Sequence, residues 1–304
     1  MIRVLDLFAG AGGSSTGAVA AGCSVVAAVN HWQVAVASHA LNHPFAEHHC
    51  EDAAVVDPTT LPAHDLLWAS PSCTGHTRAR GTEQPHHDRA RATAWCVVRV
   101  AEVQLPRFLV VENVPDFLRW VLYPAWRSAL ELLGYRLSET VLDAADCGVP
   151  QERKRLIVIA HRGHRAVSPR VPMLPRRPAR DYIDLGGGAW RPWRKYVPNS
   201  RERIEAAQRQ QGPDCLVAYY GSESSHTGRS LDRPIGTLTT RDRYVVVRGD
   251  LARVLTVEEQ LALSGFPPTY QLTGTRRERV MQVGNAVPPP LASAVIRSVR
   301  EVYS

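Results

Sequence analysis

The sequence predicts an α/β fold in which short buried strands alternate with helices, followed by a smaller, irregular and basic region. Residues 3–8 form an apolar run that leads directly into a glycine-rich loop over residues 9–13 and then a helix-like stretch. Further apolar runs of strand length recur along the chain as far as residue 160, and basic residues are concentrated after that residue. The opening order of strand, glycine loop and helix is typical of nucleotide-type α/β folds, although the same loop could be a tight connection with no ligand.

Composition limits the class of protein. The 304 residues suit one large or two smaller domains, and 44% hydrophobic with 21% charged residues is ordinary for a soluble globular chain. No run of eighteen apolar residues and no leader before the first strand is evident, so we expect a cytosolic protein without membrane contact. The six cysteines contain no C-x-x-C pair, which indicates reduced thiols and neither a disulfide framework nor a zinc site.

The positive charge is concentrated in one segment. Of a net charge of +7, residues 161–250 carry 17 basic against 9 acidic residues, so the rest of the chain is close to neutral. Such clustering is expected for a polyanionic partner such as nucleic acid. An arginine-rich solvated surface is the alternative.

Periodicity and breaker residues predict the individual elements. We expect strands over residues 3–8, 24–29, 65–69, 107–111, 136–142 and 156–160, and helices over residues 34–41, 92–105, 256–263 and 291–302. Thr256 is expected to cap the helix that follows it. Prolines and a run of three glycines make residues 166–198 irregular, and a helix over 200–210 with strands over 215–220 and 244–248 indicates a small second domain.

Two reactive groups follow buried strands. Cys73 ends the loop Ser70-Pro71-Ser72-Cys73, and Glu112 stands at the end of the next apolar run. In open α/β sheets the strand ends are where reacting groups collect, so both could lie at one rim. Cys73 could instead be a buried structural cysteine, and Glu112 could cap a helix that begins near Pro115. Residues 75–91, almost free of large apolar side chains, are typical of a lid or binding loop beside Cys73.

Other polar residues allow more than one interpretation. Arg153 and Arg155 alternate, so both should lie on one side of a strand and could hold an anion or a carbonyl; as an alternative they are exposed edge charges. Several metal-ligand types lie close together, namely His39, His43, His48, His49 and Cys50. The break at Pro44 separates them, so we predict surface histidines and no metal.

Six motifs occur in the order seen in cytosine-C5 DNA methyltransferases, and the chain resembles that family over almost its whole length. They are Asp6-Leu7-Phe8-Ala9-Gly10-Ala11-Gly12-Gly13, Ser70-Pro71-Ser72-Cys73, Glu112-Asn113-Val114, Gln151-x-Arg153-x-Arg155, Gly265-Phe266-Pro267 and Gly284-Asn285-Ala286-Val287-Pro288. The resemblance implies a Rossmann-like methyltransferase fold, a mostly parallel sheet with helices on both faces, built from residues 1–165 and 252–304. Residues 166–251 would form a small, irregular, basic target-recognition domain that binds double-stranded DNA.

The resemblance implies a role for each catalytic residue. Cys73 would add to carbon 6 of cytosine, because carbon 5 is otherwise too weak a nucleophile to accept a methyl group. Glu112 would meet N3 of the ring, and Arg153, supported by Arg155 and Asn113, would hold the base and the carboxylate. The cytosine must be flipped out of the duplex, because stacking hides both of its faces.

The resemblance also implies S-adenosylmethionine as cofactor. Residues around its methionine part would be Phe8, Ala9, Gly10, Gly12 and Gly13. The adenine and ribose would meet Trp32, Asp52, Asn30 and His31, and the site would be completed by Pro71, Asn285 and Val287.

Two departures from the family pattern stand out. Asn30-His31 lacks the acidic residue that usually meets the ribose, which weakens that contact by about 1–2 kcal/mol and leaves open a variant that transfers a modified one-carbon group. Ser72 replaces a second proline and Thr74-Gly75-His76 replaces Gln-Gly-Phe, which affects rate and target preference.

A DNA methyltransferase is the favoured function, and two alternatives are kept. One is an RNA-directed relative similar to tRNA cytosine-C5 methyltransferases, which lack a large basic recognition domain; the other is a non-catalytic DNA-binding relative. We expect a monomer. The resemblance also allows functional pairing with a restriction endonuclease.

Overall fold

Two β-sheets organise this computed structural model, which describes residues 1–73, 90–219 and 227–303. The expected lid over residues 75–91 therefore lies outside the described residues except for its last two, and the Thr74-Gly75-His76 departure lies outside them entirely. Among the described residues, no helix is long and apolar enough to cross a membrane.

The first sheet has seven strands and is mostly parallel. Its strands are β1 (Arg3–Leu7), β2 (Ser24–Val29), β3 (Glu47–His49), β4 (Leu66–Ala69), β5 (Phe108–Asn113), β6 (Arg136–Asp143) and β7 (Lys154–His161). They lie in the order β3-β2-β1-β4-β5-β7-β6, and β7 runs antiparallel to both of its neighbours. The carboxyl ends of β1, β2, β4 and β5 therefore share one edge with the amino end of β7.

Helices cover both faces of this sheet. The helices of the described chain are α1 (Gly13–Ala20), α2 (Gln33–Asn42), α3 (Trp95–Gln104), α4 (Tyr123–Leu132), α5 (Pro198–Gln211), α6 (Val257–Leu263), α7 (Arg276–Asn285) and α8 (Pro289–Tyr303). Successive strand residues point to opposite faces. Leu5 and Leu67 pack in the cluster that contains Trp126 of α4, whereas Val4 and Trp68 pack in the cluster that contains residues of α1 and α8. Burial on both faces explains the continuous apolar runs.

The chain returns to the first sheet after the second one. Helix α8 packs on α1, and the segment between α7 and α8 passes so close to Gly13 that a Cβ there would lie 2.1 Å from the carbonyl oxygen of Val287. Only glycine permits this approach. The final motif of the sequence thus contacts the start of the first helix.

The second sheet has five antiparallel strands. They are β8 (Arg191–Pro192), β9 (Asp214–Ala218), β10 (Arg229–Ser230), β11 (Tyr244–Arg248) and β12 (Leu251–Val254), in the order β10-β9-β11-β12-β8. Helix α5 packs against β9, and Leu216 and Val246 belong to a separate buried cluster. The expected boundary at residue 251 falls on the first residue of β12.

The two sheets are joined immediately before β7. The backbone N–H of Glu152 donates to Ile235 (2.8 Å), and that of Ile235 donates to Pro150 (3.0 Å). The Gln151 side chain accepts from the N–H of Leu238 (3.1 Å) and donates to the hydroxyl of Ser264 (3.1 Å). Residues 150–153 therefore contact both the segment between β10 and β11 and the end of α6.

The elements agree with expectation where the apolar signal is long. Strands over 24–29 and 244–248 are observed at those bounds, and Thr256 caps α6, since its hydroxyl accepts from the N–H of Glu259 (3.1 Å). Strand β3 and helices α4 and α7 were not expected. Strand β3 is a polar strand of three residues, whereas α7 has a readable capping box, Thr275 with Glu278, that the sequence reasoning missed.

Candidate active site

The loop that carries Cys73 lies beside the end of β5. Ala69, the last residue of β4, pairs with Val111, and the N–H of Ser70 donates to the carbonyl of Leu7 at the end of β1 (3.2 Å). Asn113 donates from Nδ2 to the carbonyl of Pro71 (3.0 Å). Cys73 has solvent-exposed surface, so its interpretation as a buried structural cysteine is wrong, although neighbouring groups surround its thiol closely enough for desolvation to raise its pKa. The thiol stands at the carboxyl edge of the first sheet, next to the glycine loop.

Glu112 faces Arg155 across strands β5 and β7. The antiparallel pairing sets Glu112 opposite Ile157, and the Nε of Arg155 lies 2.8 Å from Oε1 of Glu112. Their side chains are 12% and 10% exposed for arginine and glutamate, so the pair is largely shielded from water. The alternative of a helix cap is wrong: Glu112 lies within β5, and the short helix at Pro115–Arg119 has no side-chain cap.

Arg153 is buried and connects three parts of the chain. Its Nη1 donates to the carbonyl of Leu238 (2.9 Å), its Nη2 to that of Gly284 (2.8 Å), and its backbone N–H to Asp143 (2.9 Å). Burial lowers the pKa of Arg153 to about 9, with a smaller contribution from Arg155, so the guanidinium stays protonated at neutral pH. The alternative of two exposed edge charges is wrong. The arginine that pairs with Glu112 is Arg155, while Arg153 binds backbone carbonyls.

The electrostatic surroundings of Cys73 come from these same residues. Desolvation raises the pKa of the Cys73 thiol, Arg155 lowers it, Glu112 raises it, and Arg153 lowers it. The net effect is a pKa above the usual value, so the resting thiol is protonated at neutral pH. A proton must therefore leave Sγ before or during attack on a substrate. Two cations near Sγ favour the thiolate once it forms.

The glycine loop turns sharply at the end of β1. Phe8, Gly10 and Gly12 have φ angles of 64°, 55° and 96°, and Gly12 donates its N–H to the carbonyl of Ala9 (2.9 Å). A positive φ at a residue other than glycine is strained, and such strain is concentrated at functional sites. A Cβ built on Gly10 would meet no heavy atom within 4 Å. The loop is therefore open at Gly10, whereas a Cβ on Gly12, just before α1, would lie 2.7 Å from the Tyr270 hydroxyl.

A buried carboxyl group lies beneath this loop. Asp6 is 1% exposed and accepts from the hydroxyls of Ser14 and Ser15, each at 2.6 Å. Burial raises the pKa of Asp6 to about 6, against the smaller opposing effect of the two serines. Sequence reasoning gave Asp6 no role, although a charged residue inside an apolar strand was a visible signal.

The histidines of α2 and β3 form a hydrogen-bonded cluster. Nδ1 of His39 lies 2.8 Å from Nε2 of His48, and Nε2 of His39 lies 2.9 Å from the Ser15 hydroxyl. Burial lowers the pKa of His39 well below its usual value. His39 is fully buried, contrary to the expected surface histidine. Within residues 1–73, 90–219 and 227–303, no group of three or more His, Cys, Asp or Glu has the arrangement of a metal site.

The remaining predicted residues follow the neighbouring strands. Asn30 accepts from the N–H of Trp32 (2.9 Å), which leaves the exposed His31 at the tip of the turn after β2. Asp52 is exposed after β3 and accepts from the N–H of Ala54 (2.9 Å). Arg99 of α3 holds this segment through the carbonyl of Ala53 (2.6 Å).

The C-terminal residues reach the same edge of the sheet. Asn285 ends α7 and is exposed, whereas Val287 is buried against Gly13. The strand order sets the loops after β1, β2 and β3 along the same edge as the group formed by Cys73, Glu112 and Arg155, with the loop after β1 nearest to it. One edge of the first sheet thus has an open loop beside a thiol, a carboxylate and two guanidiniums.

Known proteins are similar in sequence to this chain over both sheets. The family described as C-5 cytosine-specific DNA methylase matches residues 2–182 and 189–301. The Type II methyltransferase M.HgiDI of Herpetosiphon aurantiacus is 31% identical over 307 residues, covering 98% of this chain and 94% of that protein. The Type II methyltransferase M.HindV of Haemophilus influenzae is 26% identical over 305 residues, and the match covers 98% of this chain and 96% of that protein.

Solved structures share the fold. The S. pombe Dnmt2 methyltransferase superposes with a TM-score of 0.70 at 20% identity, covering 100% of this chain and 99% of that chain. The Entamoeba histolytica methyltransferase EhMeth gives a TM-score of 0.71 at 15% identity with the same coverage. The predicted Rossmann-like methyltransferase fold is confirmed.

Proposed function

The chain belongs to the C-5 cytosine-specific DNA methylase family, and from this premise we propose that it methylates carbon 5 of cytosine in double-stranded DNA, using S-adenosylmethionine. The observation that carries the proposal is the grouping of Cys73, Glu112 and Arg155 at the edge of the sheet where the glycine loop also lies. The relatives named above are Type II methyltransferases, which favours DNA over the RNA alternative.

The side chains supply the chemistry of addition and elimination. The Sγ of Cys73 loses its proton and forms a bond to carbon 6 of a flipped-out cytosine, which shifts electron density toward N3 and carbon 5. Glu112 would meet N3 with its carboxyl group, and the ion pair with Arg155 would hold that carboxyl group in orientation. Once carbon 5 carries the methyl group, a base removes the carbon-5 proton and the bond from Sγ to carbon 6 breaks.

The chain offers a site of the right kind for the cofactor, which supplies an electrophilic methyl group on a sulfonium. The fit rests on the open outer side of Gly10 and on the sharp turn of the glycine loop at Phe8, Gly10 and Gly12. Residues that would hold the methionine part are Phe8, Ala9, Gly10, Gly12 and Gly13. The adenine and ribose would lie among Asn30, His31, Trp32 and Asp52, with Pro71, Asn285 and Val287 enclosing the site.

We assign target recognition to residues 166–251, which include most of the second sheet. Their support is the positive charge of this region, which has 15 basic against 9 acidic residues. Arg153 binds the carbonyl of Leu238, which links this region directly to the catalytic edge. A monomer that acts beside a restriction endonuclease is the arrangement that we propose, in view of the Type II relatives.

The deciding experiment compares two cysteine variants. DNA from a methylation-free bacterial host that expresses the wild type, Cys73→Ala or Cys50→Ala would be digested and its nucleosides analysed by mass spectrometry. We expect 5-methylcytosine with the wild type and with Cys50→Ala, in which another exposed cysteine is removed, and none with Cys73→Ala.

Other outcomes would contradict the proposal in distinct ways. Methylation by Cys73→Ala would exclude the covalent mechanism. Unmodified cytosine in the presence of folded wild-type protein would contradict the activity itself. A heavier group on carbon 5 would show that a modified one-carbon group is transferred.

A further inference from the structure

We propose that Thr93 is a positioning residue for Cys73, and that its hydroxyl sets the direction in which the thiol points. This inference rests on the proposed function, because it assigns Thr93 a part in the reaction of Cys73. Thr93 lies outside the six motifs and stands just before α3. Its contact with the Cys73 loop arises from the tertiary structure.

The Thr93 hydroxyl makes two hydrogen bonds whose directions are determined by their partners. It donates to the carbonyl of Ala90 (2.6 Å) and accepts from the backbone N–H of Ser72 (3.0 Å). A carbonyl can only accept and an N–H can only donate, so the hydroxyl hydrogen must point to Ala90. The oxygen is therefore presented to Ser72, the residue immediately before Cys73.

The core holds Thr93 in place. The next residue, Ala94, is fully buried, and its carbonyl accepts from the indole N–H of Trp126 (2.9 Å), which is also fully buried. The hydroxyl of Thr93 is thus attached to a fixed point in the interior rather than to a surface loop. A hydrogen bond from such a point limits rotation about the backbone of Ser72.

The two residues before Cys73 are held from both sides. Asn113 of β5 binds the carbonyl of Pro71, and Thr93 binds the N–H of Ser72. The Cα–Cβ bond of Cys73 follows directly, so its direction depends on both contacts. An error of about 1 Å in the position of a reacting group can cost about a hundredfold in rate. Loss of the Thr93 contact should therefore reduce the rate of attack rather than the binding of DNA.

The test uses substitutions that differ by one atom or one contact. Thr93→Val replaces the hydroxyl by a methyl group of similar size, and Thr93→Ser retains the hydroxyl. Thr60→Val is the matched control, because the Thr60 hydroxyl also donates to a carbonyl three residues earlier, that of Asp57 (2.9 Å), at a distant exposed turn. Single-turnover methylation, KM for DNA, covalent trapping on 5-fluorocytosine DNA and the thermal midpoint would be measured for each.

We expect Thr93→Val to reduce the single-turnover and trapping rates by about tenfold to a hundredfold, with KM for DNA changed less than about twofold. Thr93→Ser should stay within about threefold of the wild type, and Thr60→Val should match it. A wild-type rate in Thr93→Val would overturn the proposal. So would equal losses in Thr93→Val and Thr93→Ser that follow a fall in thermal midpoint, because that pattern indicates a structural role.

A readout independent of methylation separates this inference from the proposed function. The rate at which iodoacetamide alkylates Cys73 can be followed by peptide mass spectrometry without DNA or cofactor. We expect the alkylation rate of Thr93→Val to differ from that of Thr60→Val by about threefold or more, because a displaced thiol changes both its desolvation and its distance from Arg155 and Arg153. Equal alkylation rates would overturn the role of Thr93, whereas absent methylation by the wild type would contradict only the proposed function.

Discussion

The ion pair Arg253–Glu259 and the ion pair Arg155–Glu112 differ in how completely other groups surround them. Arg253 meets Glu259 through two contacts (2.8 and 2.6 Å) and also donates to the carbonyl of Asp184 (2.7 Å). Glu259 additionally accepts from the N–H groups of Asp184 and Thr256. Arg155 and Glu112 meet through one contact of 2.8 Å.

This difference separates a structural pair from a reactive one. The carboxylate oxygens of Glu259 are used by groups from three segments, so the pair joins β12, α6 and the segment that contains Asp184. Glu112 forms its ion pair with Arg155, with the Arg153 cation also close enough to interact, and lies at the edge where Cys73 has exposed surface. Substitutions of carboxylates should therefore affect stability at one place and rate at the other.

The largest effect is expected at Glu112. Glu112→Gln should lower the single-turnover methylation rate by about a hundredfold or more, because the amide cannot supply the charge or the proton that N3 requires. The thermal midpoint should fall less than in Glu259→Gln, because Arg155 is more exposed than Arg253 (12% against 4%). Glu131→Gln, which alters an exposed pair with Arg127, is the control and should retain full activity. Wild-type turnover by Glu112→Gln would exclude Glu112 from the chemistry.

The second prediction concerns the stability contributed by the Arg253–Glu259 ion pair. Glu259→Gln should lower the free energy of unfolding by about 3–5 kcal/mol, because it leaves the Arg253 cation buried without its partner. Urea denaturation measures this change, and methylation per folded molecule should be unaffected. Asp250→Asn, at an exposed pair with Arg194, should cost at most about 1 kcal/mol. A similarly small cost in Glu259→Gln would show that the buried pair does not stabilise the fold.

Asp6 is a third buried carboxyl group, and unlike Glu259 and Glu112 it accepts hydrogen bonds from hydroxyls and has no ion-pair partner among the described residues. Its folded-state pKa of about 6 lies above the ordinary value, so its stabilising contribution is present at low pH and is lost as pH rises through 6. Asp6→Asn removes this dependence. Between about pH 4.5 and about pH 7.5, the unfolding free energy of the wild type should fall by about 2 kcal/mol relative to that of the variant. A difference that stays constant with pH would contradict the raised pKa.

The smallest effect is expected from adding a carboxylate at the cofactor side. His31→Glu should lower the KM for S-adenosylmethionine by about tenfold, because a charged acceptor binds the ribose hydroxyls more strongly than an imidazole does. His31→Gln, which adds no charge, should leave KM nearly unchanged. Tighter binding in His31→Gln alone would indicate that shape rather than charge limits this contact.

Much of the site could be predicted because its residues lie at the ends of apolar runs. Cys73 follows β4 and Glu112 is the next-to-last residue of β5, both strands that the sequence showed clearly, and parallel pairing of β4 with β5 brings them to one edge. The pairing of Glu112 with Arg155 rather than Arg153 could not be read, because it depends on β7 running antiparallel to β5. Strand β3 escaped prediction because its three polar residues carry no apolar signal.

The sequence alone determined the order of strand, glycine loop and helix, the thiol and carboxylate at strand ends, and the basic segment. These features depend on residues near one another in the chain, so periodicity and composition are sufficient to show them. Only the tertiary structure decided which side chains meet across elements: Thr93 with Ser72, Asp6 with the serines of α1, and Arg153 with Gly284. Such contacts depend on the direction of each side chain and the packing of distant segments, which local sequence patterns do not encode.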